Sequence, residues 1–144
     1  MLTEQQIASI VEELKTDQRV LGILLTGSYI YGIPTEESDL DVRCVVTPDS
    51  GWAEKDRTCF GVTVDLLCNS FERVHFYFDQ SEEEGHGAAL HFWTYGKNVY
   101  DPQGLVAKLQ EEARIRWENG PAEGQPWGVR KEKYRKYLPS TKVF

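Results

Sequence analysis

The chain has 144 residues, 40% of them hydrophobic and 27% charged, with a formal net charge of −7. That is an ordinary globular composition, long enough for one domain whose core needs no disulfides. It excludes a transmembrane helix, since no run of about 18 apolar residues occurs. The acidic balance also argues against non-specific binding of long nucleic acid, whose affinity rests on neutralising phosphates.

Met1-Leu2-Thr3-Glu4 lacks the basic and apolar regions of a signal peptide, so the expected location is the cytoplasm. Cys44, Cys59 and Cys68 form no C-x-x-C pair and lie in or beside apolar runs, which reads as small core hydrophobes in a reducing compartment. The charge is uneven. Pro126 to Phe144 carries +5 and the rest of the chain −12. The basic end is either a solvated helix face or a local steering patch for an anionic partner.

Thr3 and Gln6 make a capping-box pattern ahead of Ile7, Ile10, Val11 and Leu14 at helical spacing, which predicts a helix over Glu4 to Lys15. Val20 to Thr26 is an aliphatic strand ending in a Gly27-Ser28 turn, and Tyr29 to Tyr31 begin a short helix broken by Gly32-Ile33-Pro34. Leu40 to Val46 is a second strand and Phe60 to Cys68 a third. The two look hairpin-like across their connecting loop.

Ser70 caps a helix bearing Phe71, Val74 and Phe78, and Ser81 to Gly87 reads as an acidic loop or frayed helix start. Ala88 to Tyr95 is apolar, and Lys97 to Tyr100 is a short strand. Pro102 opens a helix to about Trp117 with Leu105, Val106, Leu109 and Ala113 inward. Two Gly and two Pro mark residues 119–126 as a linker. Trp127 to Leu138 is a charged final helix. The expected division is therefore a core at 1–118, a linker at 119–126 and a basic C-terminal helix, or the start of a helical region, at 127–144. The fold class is α+β, a mixed α/β sheet that is twisted and flanked by helices.

Asp39 and Asp41 are separated by one residue at the start of the second strand, so a strand places both on one face. Neighbouring carboxylates raise each other's pKa unless a cation sits between them. Asp65 interrupts the otherwise apolar third strand, where an unpaired buried charge is costly. If the third strand lies beside the second, the three acids form one cluster. Three hard oxygen donors without matching His or Cys suit Mg²⁺ or Mn²⁺, and two such ions could be held. Magnesium completes its shell with substrate phosphates, and the Gly27-Ser28 turn offers backbone N–H groups to them. Arg43 shares the acidic face, where it contacts phosphate or forms a plain salt bridge. His75, His86 and His91 share no metal spacing. Trp93, Tyr95 and Tyr100 read as core aromatics more than as a base-stacking set.

The apolar strand, the pattern Gly-Ser-x3-Gly-x5-Ser-Asp-Leu-Asp from Gly27 to Asp41, and the later Val64-Asp65-Leu66 resemble the nucleotidyltransferase superfamily related to DNA polymerase β. The form is similar to its small prokaryotic members, the aminoglycoside and minimal nucleotidyltransferases. By this resemblance the chain is an enzyme moving a nucleoside monophosphate from a nucleoside triphosphate, ATP foremost, to an unidentified hydroxyl acceptor, releasing pyrophosphate. Gly27 and Ser28 would hold the triphosphate, Asp39 and Asp41 both metals. Asp65 would bind the catalytic metal and help deprotonate the acceptor. Many relatives carry a helical domain or a second subunit that binds the acceptor, so a longer chain, a homodimer or a separate helical partner would complete the site. An antitoxin-like member acting mainly by binding such a partner is the alternative.

Overall fold

A computed structural model of the chain describes residues 1–121 and 127. The chain runs α1 (Glu4–Lys15), β1 (Val20–Thr26), α2 (Ser28–Tyr31), β2 (Leu40–Val46), β3 (Asp56–Cys59), β4 (Val62–Asn69), α3 (Phe71–Glu84), α4 (Ala88–Tyr95), β5 (Lys97–Tyr100) and α5 (Leu105–Asn119). The strands form one mixed sheet in the order β3-β4-β2-β1-β5. Among the described residues no helix is long and apolar enough to cross a membrane.

Local chemistry sets the helix ends. The Thr3 hydroxyl accepts the Gln6 N–H at 3.1 Å, and the Gln6 amide oxygen accepts the Thr3 N–H at 2.9 Å, closing the capping box. The α5 helix starts at Leu105 and not at Pro102, because the Asp101 carboxylate accepts from the N–H groups of Val106 and Ala107, both at 2.9 Å. The acidic stretch after Ser81 continues α3 to Glu84, and left-handed Gly85 ends it.

Alternation along the strands sorts side chains into two layers. Ile23, Leu25, Leu40, Val42, Cys44, Val64 and Leu66 point to the face covered by Ile10, Val11 and Leu14 of α1. Leu24 and Val45 point to the opposite face, where Val74, Phe78, Leu90, Trp93, Val106 and Leu109 of α3, α4 and α5 close over them. The Trp127 ring stacks on Trp117 at 5.7 Å, and its indole N–H donates to the Trp117 carbonyl at 2.8 Å. Apart from Trp127, the final helix expected over Trp127 to Leu138 lies outside the described residues.

The second and third expected strands, β2 and β4, are not a hairpin. They pair in parallel, Leu40 opposite Val64 through Val45 opposite Asn69. The hairpin is instead β3–β4, in which Cys59 opposes Val62 across Phe60-Gly61. Both turn residues have positive φ, 52° and 76°, the primed two-residue turn that matches strand twist. The chain leaves β2, crosses to the sheet edge as β3, and returns between them as β4, which makes the β2–β4 pair parallel.

Phe60 is a poor residue for this turn. It is 59% exposed and holds a left-handed backbone that a bulky side chain disfavours. Phe60→Asn is expected to raise the unfolding free energy by up to about 1 kcal/mol, since Asn tolerates that conformation. Urea denaturation read by tryptophan fluorescence checks this. An unchanged or lower midpoint would mean that the Phe60 ring contributes more than its backbone costs.

Candidate functional site

The face under α4 carries polar groups at one end of the sheet, and register brings them into a row. Thr26 of β1 opposes Asp41 of β2, Asp41 opposes Asp65 of β4, and Asp65 opposes Asp56 of β3. Asp41 and Asp65 are half-buried, while Asp39, one residue before β2, is exposed. Asp41 and Asp65 therefore face each other across adjacent strands, with Asp39 close enough to act on Asp41 electrostatically. Asp56 was not anticipated. It extends the acidic row, although its side chain is exposed.

Burial pushes the Asp41 carboxyl up to about 6. Arg43 opposes that shift, while Asp65 and Asp39 add to it. The Arg43 guanidinium lies 3.8 Å from the Asp65 carboxylate and 5.6 Å from the centre of the Phe92 ring. It is an ion-pair partner of the acidic row.

The Asp41 carboxylate rests against the Gly27 backbone. A Cβ built on Gly27 would stand 2.0 Å from Asp41 Oδ2, and Gly27 adopts φ 84°. Only glycine fits both conditions. Its carbonyl accepts the N–H groups of Ile30 and Tyr31 at 3.0 Å, folding the chain at once into α2. That fold directs the Tyr31 hydroxyl to His91 Nδ1 at 3.2 Å, with the Thr26 hydroxyl 3.5 Å away on its other side. The glycine turn, the acidic row and α4 are thus tied together. His91 is fully buried, and burial lowers its pKa to about 4, so it sits there neutral.

The other singled-out residues lie elsewhere. His75 of α3 pairs with Glu112 of α5, both half-buried, and His86 is exposed. Cys44 and Cys68 are register partners facing α1. The neighbouring Cys68 thiol, together with burial, pushes the Cys44 pKa up, which suits packing and not nucleophilic attack. Trp93 is core; Tyr95 and Tyr100 are half-buried.

The donor set suits a hard divalent cation: carboxylate oxygens alone, one of them held at a raised pKa that a cation would relieve. Among the described residues, no three His, Cys, Asp or Glu side chains converge tightly enough to enclose an ion as they stand. The convergent part is the Asp41–Asp65 pair.

Asp41 and His91 give opposite pH slopes. Between about 4 and 6 the folded state holds a proton on Asp41 that the unfolded chain has released, so this group stabilises the fold increasingly on acidification. Between about 6.5 and 4 the unfolded chain protonates its histidine while buried His91 stays neutral, so that contribution falls on acidification. In metal-free buffer, Asp41→Asn is expected to leave only the second slope in this window, with the melting temperature falling more steeply below pH 6 than in the wild type. Parallel pH profiles for the two proteins would show that Asp41 is not raised.

A family model described as the nucleotidyltransferase domain matches residues 7–115. Among solved structures, a nucleotidyltransferase-like protein from Exiguobacterium sibiricum 255-15 is similar with a TM-score of 0.56 and 15% identity. The match covers 77% of this chain and 38% of that one, a likeness of fold. No match is found among curated proteins. The family match takes in α2, all five strands, Gly27 and the acidic row, so the chain belongs to the nucleotidyltransferase domain family.

Proposed function

We propose that this chain transfers a nucleoside monophosphate from a nucleoside triphosphate, ATP foremost, to a hydroxyl acceptor, with Mg²⁺ or Mn²⁺ as cofactor. The observation that carries the reading is the facing pair Asp41 and Asp65 beside a glycine turn that only glycine can form. Carboxylates on adjacent strands, one made costly by burial, suit a site whose charge is balanced when substrate is present.

Asp41 and Asp65 would hold the cation, with Asp39 adding a third carboxylate from the strand entrance. The cation would supply charge neutralisation for the triphosphate and polarise the reacting oxygens. Gly27 and Ser28 would hold the triphosphate through backbone N–H groups and the Ser28 hydroxyl. Asp65, on the side of Asp41 away from Gly27, would orient the acceptor hydroxyl and take its proton. The hydroxyl oxygen bonds to the α-phosphorus, the bond from that phosphorus to the bridging oxygen breaks, and pyrophosphate leaves in line. Arg43 would steady Asp65 through their ion pair. Residues 1–118 would form the catalytic core, with the basic segment at 127–144 left to engage a partner protein.

Radiolabelled nucleoside triphosphates incubated with the protein, Mg²⁺ or Mn²⁺ and cell extract are expected to label an acceptor and release pyrophosphate. Asp41→Asn or Asp65→Asn should abolish the labelling while leaving a cooperative thermal transition. Full turnover in either folded variant would sink the assignment. In the same variants Mg²⁺ should no longer raise the melting temperature at pH 7.5, as it should in the wild type.

A further inference from the structure

A half-open cleft of about 340 Å³ lies between α3 and α4 on the acidic face of the sheet. Its floor is Arg43 of β2 with Leu67 and Asn69 of β4, and its walls include Tyr77 and Phe92. Arg43 and Leu67 sit one side-chain row along from Asp41 and Asp65, roughly 7 Å at strand rise. The volume is at the small end of the roughly 300–1,000 Å³ range of ligand pockets. Leu67 and Tyr77 are 36% and 38% exposed, so the cleft leaves apolar surface uncovered on a face that is otherwise closed by helices.

Position across the sheet separates two classes of occupant. The glycine turn follows β1, Asp41 lies on β2 and Asp65 on β4, in that spatial order. The cleft opens along β2 and β4, beyond the carboxylates from Gly27. A group in it reaches the reaction centre from the side opposite the triphosphate tail, which is where an in-line nucleophile must stand. Charge narrows the class further. Of the ionisable residues lining the cleft, Arg43 is already paired with Asp65, and Glu84 and His86 lie together where α3 gives way to α4; the neighbouring row holds Asp41, Asp65 and Asp56. An anionic acceptor would be repelled; a neutral or cationic one would not.

We propose that the α3–α4 cleft is the acceptor subsite, and that it takes a small hydroxyl compound with a flat, single-ring apolar body and a neutral or cationic far end. This rests on the nucleotidyl-transfer reading for its role, while binding in the cleft stands or falls by itself. The ring lies between Leu67 and Phe92, its hydroxyl reaches past Arg43 to Asp65, and its far end meets Glu84.

The test uses the full chain, amide proton–nitrogen spectra and four probes: tyramine, 4-hydroxyphenylacetate, glucose and adenosine. Tyramine is expected to shift the amide signals of Leu67, Ser81 and Phe92, with the anionic analogue and glucose leaving them in place. Leu67→Trp and Ala89→Trp each fill the cleft from a different wall, and either should remove the tyramine shifts. Leu67 is exposed enough that its variant should fold. Adenosine moving these signals in place of tyramine would make the cleft a base pocket and overturn the proposal. So would glucose doing the same, tyramine shifts that survive both fillings, or no response to tyramine at all. Metal-dependent ATP binding, measured separately on the wild type, reports on the transfer reading. Its failure beside intact tyramine binding would sink that reading alone, and the converse result would sink only the acceptor subsite.

Discussion

The parallel register of β2 against β4 is the constraint on which the site depends. Asp41 and Asp65 are brought face to face by what lies behind them: Leu40, Val42, Cys44, Val64 and Leu66 fill the opposite face against α1. A slip of one residue would put the carboxylates into that apolar layer, at a cost of several kcal/mol for each buried charge, and would move the aliphatics out of it. The core thus enforces an electrostatically unfavourable pairing on the other side of the same strands. The unfavourable energy does not relax away, because the hydrophobic layer pins the register.

The elements around the pair follow from it. Gly27 lacks a side chain where Asp41 Oδ2 needs the space, and its positive-φ backbone turns the chain into α2. Helix α2 sets Tyr31 against His91 of α4, so the glycine turn and the helix over the acidic face are braced by one hydrogen bond between a phenol and a neutral imidazole. Arg43 spans the space between the carboxylates and the cleft, paired with Asp65 at one end and lying over Phe92 at the other. The same strand face that creates the charge problem also leads into the apolar cleft.

Much of this was legible in the sequence, and the misses have physical causes. The boundaries of α1, β1, β2 and β5 could be read because a capping box, glycine turns and aliphatic or β-branched runs mark their ends. The candidate acids could be read for the same reason: in a strand, Asp65 among aliphatics and Asp39-Leu40-Asp41 announce a second face. Strand β3 could not, because Asp56-Arg57-Thr58-Cys59 lies at a sheet edge, polar on its outer positions, and its turn carries Phe60 where Asn or Gly would signal a hairpin. Missing β3 made β2 and β4 look like the hairpin and hid Asp56. The α4 helix carries no clear signal because Leu90, His91 and Trp93 are all buried, leaving no polar stripe to show helical periodicity. The cleft joins residues from four elements and has no local signal at all.

The core holds Asp41 at a raised pKa beside Asp65, and the proposed divalent cation should relieve it. Carbon-detected NMR titration of the aspartate side-chain carboxyls, with and without Mg²⁺, measures this directly. Without the ion, Asp41 should titrate near 6, and with the ion its midpoint should move down into or below the ordinary carboxylate range. A midpoint near 3.8 in metal-free solution would mean that the core does not raise Asp41, and one that Mg²⁺ leaves unmoved would mean that the pair holds no cation.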